Sequence, residues 1–242
     1  IFPFLGWDPI GDPFVRSRLS EGLQRASDLG LEGIVLHSSQ GNTSTLSSSS
    51  LKEKRVRTVD SLHDLKSRSS GPTWLGLECM ALEMDPTKEV DALFLIPSDF
   101  FSLRGSELKV VWDLCHFAKT LYTLENLSKL KAKRFDFPLP KLEPLSFLAL
   151  KDLIVHFHFS AFIPVIDLKG RVIMLEGQQP FTLEANESLY QEMLKGVETH
   201  FDDLPLMVFE VEEKDYSLRE RAPQTIAWAD RVTTHKPWAA GY

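Results

Sequence analysis

The sequence predicts an α+β fold, a mixed or mainly antiparallel sheet with three main helices packed on it. The densest β-branched and aromatic run is 151–176. Within it Leu168-Lys169-Gly170-Arg171 divides two apolar segments, 162–166 and 172–175, as a short hairpin turn does. Leu153 to Phe159 precedes them as a third strand, so three consecutive strands form a sheet nucleus. Helical periodicity at 14–29, 106–130 and 183–202 supplies the layer that covers it.

Each element has a local cause. Pro3, Gly6, Pro9 and Gly11 exclude a regular helix at the start, after which Asp12 is placed as an N-cap and Pro13 as the first helical residue. Val15, Leu19, Leu23 and Ala26 then recur at helical spacing up to Gly30, and 31–36 follows as a short apolar strand. From 38 to 71 the chain turns Ser- and Thr-rich and then basic, with few large apolar residues, and is expected to form a flexible insertion. Arg57-Thr58 and Arg68-Ser69 would suit regulation of this loop by phosphorylation. Strands are expected at 73–84, with Leu75, Leu77, Cys79 and Ala81 on one face, and at 92–96.

Helix 106–130 carries Val111, Leu114, Ala118, Leu121 and Tyr122 on one stripe and ends in lysines. Pro138, Pro140 and Pro144 make 135–144 extended, the place where 1–242, read as a single α+β domain, could divide into subdomains. Helix 183–202 places Leu189, Met193, Val197 and Phe201 four apart; a strand at 206–211 and a helix at 224–232 complete the chain.

Composition narrows the function. The chain has 242 residues, 43% of them hydrophobic, which is enough for a sizeable core. A net charge of −7 argues against general nucleic-acid binding, which rests on Lys and Arg neutralising phosphates. No apolar run approaches the length of a membrane span, and Ile1 to Gly6 lacks the basic start of a signal peptide. Cys79 and Cys115 are too few for a disulfide framework and read as buried thiols. The expected location is intracellular, cytoplasm or nucleus. One observation favours secretion instead: Asn42, Asn126 and Asn186, all the asparagines of the chain, lie in N-x-[ST] sequons.

Motifs that carry chemistry are sparse. There is no G-x-S-x-G elbow, no Gly-rich phosphate loop and no H-E-x-x-H. His156 and His158 form the one metal-type pattern, because residues two apart on a strand point to one face and two imidazoles there can converge on an ion. Asp152 shares that face and is the nearest third ligand in period. Two histidines without an identified third partner are an incomplete site, so neither a metal nor another cofactor is expected. Trp7, Trp228 and Trp238 lie in weakly structured ends and read as anchors for a partner. The function expected from the sequence is therefore a non-catalytic protein-interaction module, or a subunit of a larger intracellular assembly whose partners are other protein subunits. The alternative is a metal-dependent hydrolase using the H-x-H pair.

Overall fold

Helices and strands are interspersed along the chain. The computed structural model describes residues 12–38, 40–41, 48–69, 71–84, 90–91, 93–126 and 141–233. In order they form α1 (Pro13–Asp28), β1 (Gly33–Leu36), β2 (Gln40–Gly41), α2 (Ser48–Ser67), β3 (Trp74–Glu78), β4 (Val90–Asp91), β5 (Lys109–Asp113), α3 (Leu114–Asn126), β6 (Ile154–Phe159), β7 (Ala161–Ile166), β8 (Val172–Gln178), α4 (Glu187–His200), β9 (Leu206–Phe209) and α5 (Arg221–Val232). Two 3₁₀ segments, Pro97–Leu103 and Ser146–Leu150, lie before β5 and β6.

The main sheet has the order β1-β3-β5-β6-β9, and every pairing in it is parallel. This corrects the expected mainly antiparallel α+β sheet. The hairpin is real, with β7 antiparallel to β8, but it forms a separate two-stranded sheet, while β6 lies between β5 and β9. The reason lies in the strands themselves. Leu75, Leu77, Val110, Val111, Trp112, Phe157 and Phe159 are all fully buried, so both faces of the sheet are covered and the strands read as continuous apolar runs. Strands laid down in sequence order with helices between them build the wall of a parallel α/β barrel.

Two further expectations fail for physical reasons. Helix 106–130 is in fact strand β5 followed by helix α3, because Val110, Val111 and Trp112 form a buried β-run whose spacing also fits a helix. The flexible insertion at 38–71 contains α2, whose Leu51, Val59, Leu62 and Leu65 enter the core. Arg55 of α2 pairs with the buried Asp99 at 3.0 Å, and Asp99 in turn accepts from the backbone N–H of Leu95 and Ile96. Thr58, a proposed phosphorylation position, is fully buried with its hydroxyl donating to Lys54 O, and the Ser69 hydroxyl oxygen is buried too. The segment 135–140 lies outside the described residues.

α1 forms as its ends dictate: Asp12 accepts from the N–H of Phe14 and Val15, and Gly30 turns the chain at φ +68. At the centre, Trp112 stacks on Phe147 and packs with Phe117 and Phe157 on the helix-covered face. The pairing of β5 with β6 skips one residue: Val110 faces Ile154, but Val111 faces His156, leaving Val155 as a bulge. Beyond the bulge, Trp112 faces Phe157 and Asp113 faces His158, so the phenylalanines join the core and the histidines take the opposite face with Asp113.

Candidate metal centre

Each central strand ends on a potential ligand. Glu78 closes β3, Asp113 closes β5, His158 lies next to the end of β6, and Glu210 follows β9 with its N–H donating to Phe159 O. Parallel strands place these C-terminal ends together, at the end where barrel folds carry their sites. Ligand atoms of Glu78, Asp113 and His158 lie within 4.8 Å of one another, and all three side chains are buried. His158 Nδ1 is 3.3 Å from Glu78 Oε1, 3.9 Å from Asp113 Oδ2 and 3.5 Å from Glu210 Oε1.

A second ring supports the first. His116, in the first turn of α3, donates its backbone N–H to Asp113 Oδ1, and its Nδ1 is 3.0 Å from Cys79 O and 3.3 Å from Glu78 Oε1. His116 Nε2 lies 3.5 Å from Glu176 Oε1 on β8. Both nitrogens therefore face oxygens, one a carbonyl and one a carboxylate, which is the setting of an imidazolium. Burial opposes its charge, but Asp113, Glu176 and Glu78 together raise its pKa well above the usual histidine value. His37, just past β1, brings Nε2 to 3.3 Å from Glu78 Oε2.

The electrostatics suit a cation. Burial works to raise the Glu78 carboxyl, yet the imidazoles of His116, His158 and His37 around it bring it well below the usual range. Burial pushes Asp113 up to about 6, against the pull of His116. Glu78 Oε2 and His158 Nδ1 are buried without a hydrogen bond of good geometry despite their close charged neighbours. Two such atoms beside the Asp113 carboxylate are what a divalent ion would satisfy, and a mixed carboxylate and imidazole set suits zinc or manganese. The residues present thus fit a metal.

Of the residues singled out from the sequence, His156 and His158 do share a face, with rings 5.2 Å apart. Only His158 joins the cluster. His156 lies one pleat deeper against Trp74, and its pKa falls to about 4 through burial and the neighbouring His158. Asp152 lies before β6, at the opposite end from Glu78 and Asp113, where it is exposed and 3.7 Å from Arg104. Trp228 is no free anchor: it stacks on Phe159 and donates to Glu187 Oε1 at 2.8 Å. Trp7 and Trp238 lie outside the described residues. Sequence reasoning missed Glu78, Asp113, His116 and Glu210. The available signal was that the runs W-L-G-L-E, K-V-V-W-D and L-M-V-F-E each carry a carboxylate directly after an apolar strand.

No protein-family model matches the sequence, and no curated protein matches it. Solved structures do. A xylose isomerase domain containing protein from Salmonella typhimurium LT2 superposes with a TM-score of 0.54 at 16% identity, over 93% of this chain and 72% of that one. The IOLI protein, solved with a binding zinc atom, gives 0.53 at 13% identity, over 90% of this chain and 67% of that one. The fold is a parallel-sheet half-barrel, an architecture similar to that of these two structures. These likenesses establish architecture, and the ligand cluster stands on this chain's own residues. Together they overturn the expected non-catalytic interaction module and complex subunit. No helix among the described residues is long and apolar enough to cross a membrane.

Proposed function

We propose that the chain is a divalent-metal-dependent enzyme acting on a sugar or similar polyhydroxylated carbonyl compound, moving a proton at the carbon beside the carbonyl. The observation that carries this reading is the convergence of Glu78, Asp113 and His158 from three neighbouring strand ends. The names of the two fold neighbours, one a xylose isomerase domain protein and one holding zinc, support the same class. Glu78, Asp113 and His158 would hold the ion, which would supply Lewis acidity to a carbonyl oxygen and its neighbouring hydroxyl.

The chain's own groups do the remaining work. Glu78, Asp113 and His158 are buried and hold the site rigid, while Glu210 is 34% exposed and is the carboxylate of the set open to an entering substrate. Glu210 is accordingly assigned the proton transfer, a task that needs a base within hydrogen-bond reach of the substrate carbon. His116 places positive charge beside Glu78 and Asp113 and limits their mutual repulsion.

The test is elemental analysis of protein purified without chelator, followed by incubation in D₂O with Mn²⁺ or Zn²⁺ and a panel of free aldoses and ketoses. Wild type should incorporate deuterium next to the carbonyl of at least one sugar, and Asp113→Ala should not. A wild-type chain that takes up neither ion when supplied would overturn the reading.

A further inference from the structure

Lys119 of α3 is 1% exposed, although it is a lysine. Taking an ammonium out of water costs several kcal/mol unless carboxylates meet it. Two do, from separate parts of the chain: Glu83 Oε1, on the segment after β3, is 2.7 Å from Nζ, and Glu176 Oε1 of β8 is in direct contact. Glu176 then reaches His116 Nε2 at 3.5 Å, and His116 faces Glu78 and Asp113. Charge alternates along this line from α3, through the hairpin, to the ligand cluster.

We infer that Lys119 is a positioning residue: its ammonium fixes Glu176 of the hairpin, and Glu176 holds His116 against the ligand carboxylates. The inference rests on the proposed metal centre. Other contacts between hairpin and α3 set spacing but cannot aim a carboxylate. Tyr122 packs its ring on Phe162 at 5.5 Å, and the Thr123 hydroxyl meets the Met174 sulfur at 3.9 Å. Glu176 itself keeps 42% of its side chain exposed, so without Lys119 it has solvent to turn to.

The experiment compares wild type, Lys119→Met and Glu176→Ala, each as the full chain supplied with Mn²⁺. Backbone hydrogen exchange, metal content, and kcat and KM for α-deuterium incorporation are measured. In both variants exchange over 172–178 should accelerate by about tenfold while 109–113 is unchanged. Metal content should stay at the wild-type level. The kcat should fall about 100-fold with KM within about threefold, because a positioning loss spares substrate binding. Where Lys119→Met does not fold, Glu176→Ala decides, since it leaves Lys119 paired with Glu83.

Wild-type exchange over 172–178 in Glu176→Ala overturns the inference, as does an unchanged kcat. Loss of metal from Glu176→Ala also overturns it, by making Glu176 a ligand. If wild type binds no metal but the hairpin responds as expected, the metal reading fails and the clamp stands.

Discussion

Asp113 and His158 face each other across β5 and β6, with His158 Nδ1 3.9 Å from Asp113 Oδ2. His156, one pleat back on the same face, pairs with Val111 and packs on Trp74 instead. The two histidines should therefore separate in a metal-binding assay. His158→Gln should weaken Mn²⁺ or Zn²⁺ binding by about 100-fold or more, whereas His156→Gln should leave the stoichiometry intact. Isothermal titration of both variants checks this, and equal losses would show that His156 is also a ligand.

The metal-free protein should lose stability as pH rises past neutrality. Burial acts to lower the His158 pKa, but the close Glu78 carboxylate, with Glu210 and Asp113, raises it to about 8. Because the folded value lies above the unfolded one, near 6.5, the contribution is complete below about pH 6.5 and disappears as pH rises through about 8. It amounts to about 2 kcal/mol. Urea denaturation of chelator-treated wild type and His158→Gln should show the wild-type advantage shrinking between pH 6 and pH 9. An advantage that grows over that range would reverse the assignment. Metal affinity should rise over the same window, since the ion must displace the proton.

Helix α2 is part of the core, so its removal should unfold the protein rather than shorten a loop. Leu62, fully buried on that helix, should cost about 2–5 kcal/mol when changed to Ala. Val56, 45% exposed on the same helix, should cost less than about 0.5 kcal/mol. Thermal denaturation of the two variants distinguishes an embedded helix from a dispensable one.

On α4 the buried residues are Tyr190, Met193, Leu194, Gly196 and Val197. Met193→Ala should cost about 2–5 kcal/mol. Glu187, which the spacing alone puts on the solvent face, accepts the indole N–H of Trp228 at 2.8 Å. Glu187→Ala should therefore cost about 1 kcal/mol, measured by chemical denaturation, and Glu187→Gln should recover most of it.

Much of the fold was legible because periodicity and caps are local. Asp12 and Pro13 mark the start of α1, and Leu189, Met193 and Val197 mark the body of α4. The direction of the sheet was not, since a hairpin announces itself through Gly170 while parallel pairing leaves no local mark. Val110 to Trp112 shows the cost: a strand buried on both faces loses its alternation and merges into the following helix. The site was half legible. The shared face of His156 and His158 follows from period two, but Glu78, Asp113 and Glu210 are brought to His158 only by the pairing of distant strands. Lys119 carries no local mark, and only tertiary packing reveals that two carboxylates enclose it.

The skipped residue at Val155 makes the site a matter of parity. Counted from Ile154, an even pairing would bring Phe157 opposite Asp113 and turn His158 toward the layer that holds Trp112. Every residue would still be present and every strand could still pair, yet imidazoles would lie in the aromatic core and a phenyl ring beside Asp113. Removing Val155 should therefore leave metal binding intact, because His156, Phe157 and His158 then meet Val111, Trp112 and Asp113 in unbroken register. What the site needs is Asp113 opposite His158, and a one-residue slip of β6 against β5 would leave a shell of the same composition without it.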